Sequence, residues 1–122
     1  MASAEAVSLG AWRAELLRRA SGTVVEIGAG TGVNIQHYPA DGAQVALCEP
    51  DSAMRRQLEG RVPAGGRFSV HPAGAGSLPA ADQSVDVVVS TLVLCTVPDP
   101  VAALREARRV LRAMRGVSVR GL

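Results

Sequence analysis

Thr23-Val24-Val25-Glu26-Ile27-Gly28-Ala29-Gly30-Thr31-Gly32-Val33-Asn34 decides how the rest of the chain is read. An apolar, β-type run breaks into three closely spaced glycines and resumes as helix-compatible sequence, so the order is strand, tight turn, helix start. Glycine tolerates positive φ and carries no side chain, which lets backbone N–H groups approach a ligand closely. The turn is therefore the first place to expect a bound small molecule.

Upstream, residues 7–20 place Leu9, Trp12, Leu16 and Leu17 among Arg13, Glu15, Arg18 and Arg19. That stripe predicts an amphipathic helix packed on the sheet, with Trp12 able to cover a ligand cleft. Ser21-Gly22 ends it. Downstream, a short helix is expected over residues 31–37, stopping before Pro39. Residues 44–48 predict a second strand ending at Glu49, and residues 51–59 a helix capped by Asp51 or Ser52. Residues 67–70 predict a third strand. The Pro-, Gly-, Ala- and Ser-rich stretch 72–81 reads as an irregular surface loop, and 85–90 as a strand buried on both faces. Asp99-Pro100 predicts a helix start, with Val101, Leu104 and Leu111, near Arg108, on the side that docks and Ala107 and Val110 beside them.

Alternating strands and helices predict an α/β fold: a Rossmann-like, doubly wound parallel sheet with about four strands. In such sheets ligands bind at the carboxyl ends of the strands, where strand order reverses. The 122 residues read as a single domain, with an N-terminal helix over 1–20, a core over 21–112 and a divergent tail over 113–122.

Composition narrows the function. Hydrophobic residues make up 48% and charged ones 20%, as in a folded globular protein. Every basic residue is arginine, which excludes a lysine P-loop and lysine Schiff-base chemistry. A net charge of +2 and three aromatics, Trp12, Tyr38 and Phe68, argue against a nucleic-acid partner. The arginines at 105, 108, 109, 112, 115 and 120 read as a solvated helix face, the sharper alternative being an acidic partner surface. His37 and His71 lack companions at ligand spacing, so no metal is expected. Cys48 and Cys95 lack paired spacing, and neither a signal sequence nor a membrane span is evident, which predicts a reduced, cytoplasmic setting.

Dinucleotide-binding turns read G-x-G-x-x-G, whereas the spacing here is Gly28-x-Gly30-x-Gly32 with Glu26 two positions earlier, which weighs against NAD. Glu49, ending the second strand, can accept hydrogen bonds from both hydroxyls of a ribose. The alternative for Glu49 is a partner for the dipole of the following helix.

Five ordered blocks carry a resemblance: residues 24–32, Cys48-Glu49-Pro50-Asp51-Ser52-Ala53-Met54, Ser77-Leu78-Pro79, residues 84–97 and Arg105-Glu106-Ala107-Arg108-Arg109-Val110-Leu111-Arg112. Together the chain resembles the class I S-adenosylmethionine-dependent methyltransferases of the methyltransferase type 11 kind, in the branch holding ubiquinone-biosynthesis-type, phospholipid and thiol methyltransferases. Gly32-Val33-Asn34, His37-Tyr38-Pro39 and residues 93–100 lean toward the animal thiol enzymes and their bacterial relatives. The resemblance implies S-adenosyl-L-methionine as cofactor and a small-molecule methyl acceptor. It implies that Glu26 with Gly28, Ala29, Gly30, Thr31 and Gly32 holds the methionine end, Glu49 the ribose, and Pro50 with Met54 the adenine face. Ala75, Gly76, Ser77 and Leu78 would lie by the adenine edge, and Ser90 and Thr91 would border the transferring methyl.

No dedicated nucleophile is required, because the donor is already activated. The catalytic residue is unassigned: His71 and Glu26 are conceivable bases, and Cys95 reads as a buried inert thiol. Two departures from the family stand out. The acid that commonly receives the adenine amino group is absent from Ala73-Gly74-Ala75-Gly76-Ser77. After Arg112 the pattern is lost, leaving residues 117–119 as a fifth-strand stub, which suggests a truncated or frame-altered ending. On that reading a second copy or a partner chain would cover the sheet edge, and a non-catalytic cofactor-binding module is the main alternative function. An NAD-dependent oxidoreductase shares only the strand-turn-helix start.

Overall fold

The computed structural model describes residues 15, 17–90 and 98–112. Most of the N-terminal helix with Trp12, the Thr91 and Cys95 assignments and the fifth-strand stub lie outside the described residues. The sheet has four parallel strands, β1 (Gly22–Ile27), β2 (Ala43–Cys48), β3 (Phe68–His71) and β4 (Val87–Ser90), in the order β3-β2-β1-β4. Strand order reverses beside β1, so β1 and β4 flank the switch point, and Ile27 lies in register with both Cys48 and Ser90.

The strands alternate between two cores. Val24, Val45, Leu47 and Val89 face one side and pack with Leu17, Tyr38, Phe68 and Leu58. Leu58 comes from helix α1 (Ser52–Arg61), started by Asp51, whose carboxylate accepts from the Met54 N–H at 2.8 Å. Val25, Ile27 and Cys48 face the other side and pack with Leu78, Val110 and Leu111. Helix α2 (Pro100–Val110) covers that side, with Asp99 accepting from Ala102 N–H at 3.1 Å. These near-continuous apolar strands are what a sheet buried on both faces demands.

Two expectations change. Residues 31–37 form no α-helix; only Ile35–His37 makes a 3-10 turn. Short i→i+3 bonds, Ile35 to Gly32 and His37 to Asn34, close this segment tightly, because Asn34 and Tyr38 are drawn inward toward Glu26. The docked face of α2 is also rotated from the expected one. Ala103, Ala107 and Val110 are buried, while Val101 is 62% and Leu104 37% exposed. The inward stripe thus carries small side chains at 103 and 107, and Val110 and Leu111 at the helix end join the core.

Gly22, at φ +77°, opens β1 where Asp86 crosses it. The Asp86 carboxylate accepts from Thr23 N–H at 2.8 Å, and a Cβ on Gly22 would come within 2.3 Å of Asp86 Oδ2. Gly22→Ala is expected to cost about 1–3 kcal/mol by urea denaturation, through left-handed strain and the clash. Gly60→Ala, where a Cβ meets nothing within 4 Å, is expected to gain about 0.5–1 kcal/mol from helix propensity. Equal effects at the two glycines would contradict this account.

Candidate functional site

The turn after β1 is built on three left-handed glycines, Gly28, Gly30 and Gly32, at φ +64°, +61° and +97°. Gly32 and Gly30 have different reasons to be glycine. At Gly32 a Cβ would press on Ile35 and Leu58 at 3.0 Å, so the position lets α1 close against the turn. At Gly30 a Cβ would meet nothing within 4 Å, so conformation and an open approach, not packing, select glycine there.

Three of the turn's N–H groups do not project outward as the sequence suggests. Ala29 N–H donates to Cys48 O at 2.9 Å, Gly30 N–H to Glu49 Oε1 at 2.8 Å, and Gly32 N–H to Ala29 O at 3.1 Å. The turn satisfies these donors within the protein, because it folds back over the end of β2. It is thus poorly suited to an anion that needs several backbone donors.

Glu49 is the staple. Only 6% exposed, it takes Gly30 N–H on one oxygen and Asp51 N–H on the other at 2.9 Å. Its backbone is fixed as well: Glu49 N–H donates to His71 O at 3.0 Å, and Arg55 donates to Glu49 O at 3.0 Å and Pro50 O at 3.2 Å. One carboxylate therefore ties the glycine turn to the start of α1.

Glu26 is deeper, 1% exposed at the carboxyl end of the central strand. Tyr38 donates its hydroxyl to Oε1 at 2.5 Å, and Asn34 donates its amide to Oε2 at 3.2 Å. An ionised carboxylate in such a place costs on the order of several kcal/mol unless donors compensate it. The surroundings register the charge. The Tyr38 phenol is raised far above its ordinary range by burial and then by Glu26. Burial, with Glu26 second, pushes the Cys48 thiol up to about 12 and leaves it protonated and unreactive.

On the opposite side, the loop after β3 is held to α2 by Arg109. Its guanidinium donates to Ala80 O at 2.9 Å, Leu78 O at 3.4 Å and Asp82 Oδ1 at 2.6 Å, and pairs with Glu106 at 2.6 Å. Glu106 in turn accepts from Leu78 N–H at 3.0 Å. The clamp seats Leu78 against Ile27 and Cys48, with Ala73 and Ala75 packed on the same cluster.

The residues expected to bind a ligand thus divide. Glu26, Gly28, Ala29, Gly30, Gly32 and Glu49 are joined at the ends of β1 and β2, with Thr31 half-buried in the same turn. Pro50 and Met54 flank the start of α1, Met54 being 46% exposed. Gly76 and Ser77 lie exposed on the clamped loop, and Ala75 is half-buried. Ser90 ends β4 beside Ile27, and its Oγ is buried with no hydrogen-bond partner among the described residues. As for the two conceivable bases, Glu26 is engaged by Tyr38 and Asn34, and His71 Nε2 lies 2.8 Å from Ser69 Oγ. Sequence reasoning gave no role to Asn34, Tyr38 or Glu106 and read Arg109 as part of a solvated face. Glu106 and Arg109 stand inside the five blocks and Asn34 and Tyr38 in the segments quoted beside them, but the helix reading of residues 31–37 hid the inward turn of the latter two.

The chain matches the family model described as a methyltransferase domain over residues 25–114. It is 45% identical over 103 residues to the thiol S-methyltransferase TMT1B of Homo sapiens, an alignment covering 79% of this chain and 41% of that protein. It thus spans about two fifths of the length of the curated relatives it matches. A SAM-dependent methyltransferase structure from Thermotoga maritima superposes with TM-score 0.61 at 33% identity, covering 75% of this chain and 40% of that one. The [4+2]-cyclase SpnF superposes with TM-score 0.75 at 22% identity, over 86% and 41% of the respective chains, a likeness of fold alone.

The hydrogen bond from Arg109 holds the Glu106 carboxyl below its ordinary 4.5. A depressed folded value means that its stabilisation is complete above 4.5 and lost as pH falls through the lower folded value. Urea denaturation is therefore expected to show Glu106→Gln less stable than wild type at neutral pH, with the gap closing as pH drops below 4.5. A gap independent of pH would contradict the clamp.

Proposed function

This chain belongs to the methyltransferase-domain family, and we propose that it binds S-adenosyl-L-methionine at the β1–β4 switch point for methyl transfer to a small-molecule acceptor. The observation that carries this reading is the polarity of the site. The glycine turn turns its donors inward, toward Cys48 and Glu49, while two carboxylates, Glu26 and Glu49, stand at the ends of adjacent strands. A dinucleotide's pyrophosphate would call for the reverse. A ligand with an ammonium group and a ribose diol matches acidic acceptors.

The residues present fit such a ligand. Gly30 leaves an open approach over the turn, and Ser90 Oγ, beside Ile27, is a buried polar atom that lacks a partner among the described residues. In this reading Glu26 and the 28–32 backbone receive the methionine end, Glu49 the ribose, Pro50 and Met54 one adenine face, and residues 75–78 the adenine edge. Ser90 and Thr91 border the reacting centre. When bound, the sulfonium supplies an already activated methyl group; the chain's own residues bind, orient and exclude water. No covalent nucleophile is called for, in keeping with a protonated Cys48. The name of the 45% identical human relative makes a small thiol the acceptor class to test first. A buried free Cys48 supports a reducing, cytoplasmic setting, and among the described residues no helix is long and apolar enough to cross a membrane.

One feature favours a second reading, a binding module completed by a second copy or another chain: β4 is the outermost strand on its side among the described residues. A monomer by light scattering would count against it.

Calorimetry with S-adenosylhomocysteine is expected to show binding, weakened by about 1–3 kcal/mol in Glu49→Ala through loss of a hydrogen-bonding carboxylate. No heat from the folded wild-type protein would overturn the cofactor reading. An unchanged affinity in the variant would confine Glu49 to the start of α1.

A further inference from the structure

Within the buried cluster at the end of β1, the position of Tyr38 is unusual. Its ring is already accommodated as an apolar body, 5% exposed and edge-on to Phe68 at 5.9 Å between centroids. Phe68 is in turn covered by the Arg67 guanidinium at 4.7 Å, and Arg67 donates to Pro39 O, the residue after Tyr38. Phenylalanine would serve that packing equally well. The hydroxyl is spent on Glu26 instead, across the interval of 12 residues that the glycine turn spans.

A core gains nothing obvious from this arrangement. Replacing a buried charged group with apolar side chains is often neutral or stabilising, so a carboxylate held in a sheet core is poor evidence of a purely structural device. Here the carboxylate sits at the carboxyl end of the central strand, beside the strand-order reversal where such sheets take ligands. Tyr38 reaches one oxygen and Asn34 the other, so the segment that leaves the strand as a glycine turn comes back to fix the carboxylate's plane. The 3-10 geometry of Ile35–His37, in place of an α-helix, is what delivers both side chains inward.

We propose that Tyr38 is a positioning residue for the amino-acid end of the cofactor, acting through the hydrogen bond that orients Glu26. The proposal rests on the S-adenosylmethionine reading above. It assigns Tyr38 no contact with the ligand and no share of the nucleoside's binding.

The test compares two ligands that differ in that end alone. S-adenosylhomocysteine carries the amino-acid group; 5′-methylthioadenosine has the same nucleoside and thioether without it. In Tyr38→Phe, calorimetry is expected to show about tenfold weaker S-adenosylhomocysteine binding, about 1.4 kcal/mol, with 5′-methylthioadenosine unchanged. Equal losses for both ligands, or none for either, would overturn the proposal. A second measurement needs no variant, because Tyr38 is the chain's one tyrosine. With labelled tyrosine in the wild-type protein, S-adenosylhomocysteine is expected to shift the ring resonance and 5′-methylthioadenosine to leave it in place; the same response to both would overturn it. Wild-type protein that binds neither ligand would sink the cofactor reading, and this proposal with it, whereas binding without the ligand split sinks this proposal alone.

Discussion

A carboxylate buried at the end of the central strand must be compensated, and the compensation of Glu26 shapes everything around it. Tyr38 and Asn34 supply the donors. To bring them within reach, the chain must reverse within a few residues of leaving β1, which requires left-handed glycines at 28, 30 and 32. The reversal carries the turn's N–H groups toward the end of β2, where Cys48 O and Glu49 accept them. Glu49 then links the turn to α1, whose Leu58 closes over Gly32. One electrostatic demand thus propagates from strand to turn to helix.

The same demand sets the character of the site. Glycine-rich turns after the first strand of a doubly wound sheet are commonly read as anion cradles, because their N–H groups point at phosphate. Here three of those groups are occupied within the protein, and the neighbouring strand ends present acids. The local fold and the acid after β2 are shared with dinucleotide sites; the difference lies in the turn, whose N–H groups at 29, 30 and 32 are taken up internally, and in Glu26. Fold alone would not reveal this, as the likeness to a [4+2]-cyclase illustrates. The distinction lives in individual donors and acceptors.

Much of the fold was legible because the signals were local. Valine-rich runs mark β1 and β4, and Asp51 and Asp99 start their helices as capping chemistry requires. The places of the acids at 26 and 49 were legible as well, since Glu26 stands one residue before the end of β1 and Glu49 directly follows β2. What escaped depended on distant partners. Residues 31–37 hold mostly weak helix formers, Thr31, Gly32, Val33 and Asn34 among them, so a helix had little local support, and no local pattern encodes the contact of Tyr38 with Glu26 across 12 residues. On α2, periodicity marked an apolar stripe but not which flank would dock. The inward stripe is Ala103, Ala107 and Val110, while Val101 and Leu104 stay exposed. Arg109 read as one of several solvated arginines, and only the returning loop at residues 78–82 shows it as a clamp.

The central claim is that this turn receives the ammonium-bearing amino-acid end of a nucleoside ligand and not a phosphate. A crystal structure of the complex with S-adenosylhomocysteine tests it most directly. The expected result places the ligand across the carboxyl ends of β1, β2 and β4, its ammonium group toward Glu26 and its ribose hydroxyls on Glu49. A ligand seated away from these strand ends, or one whose ammonium group points away from Glu26 while its carboxylate takes the N–H groups of residues 29–32, would contradict the account.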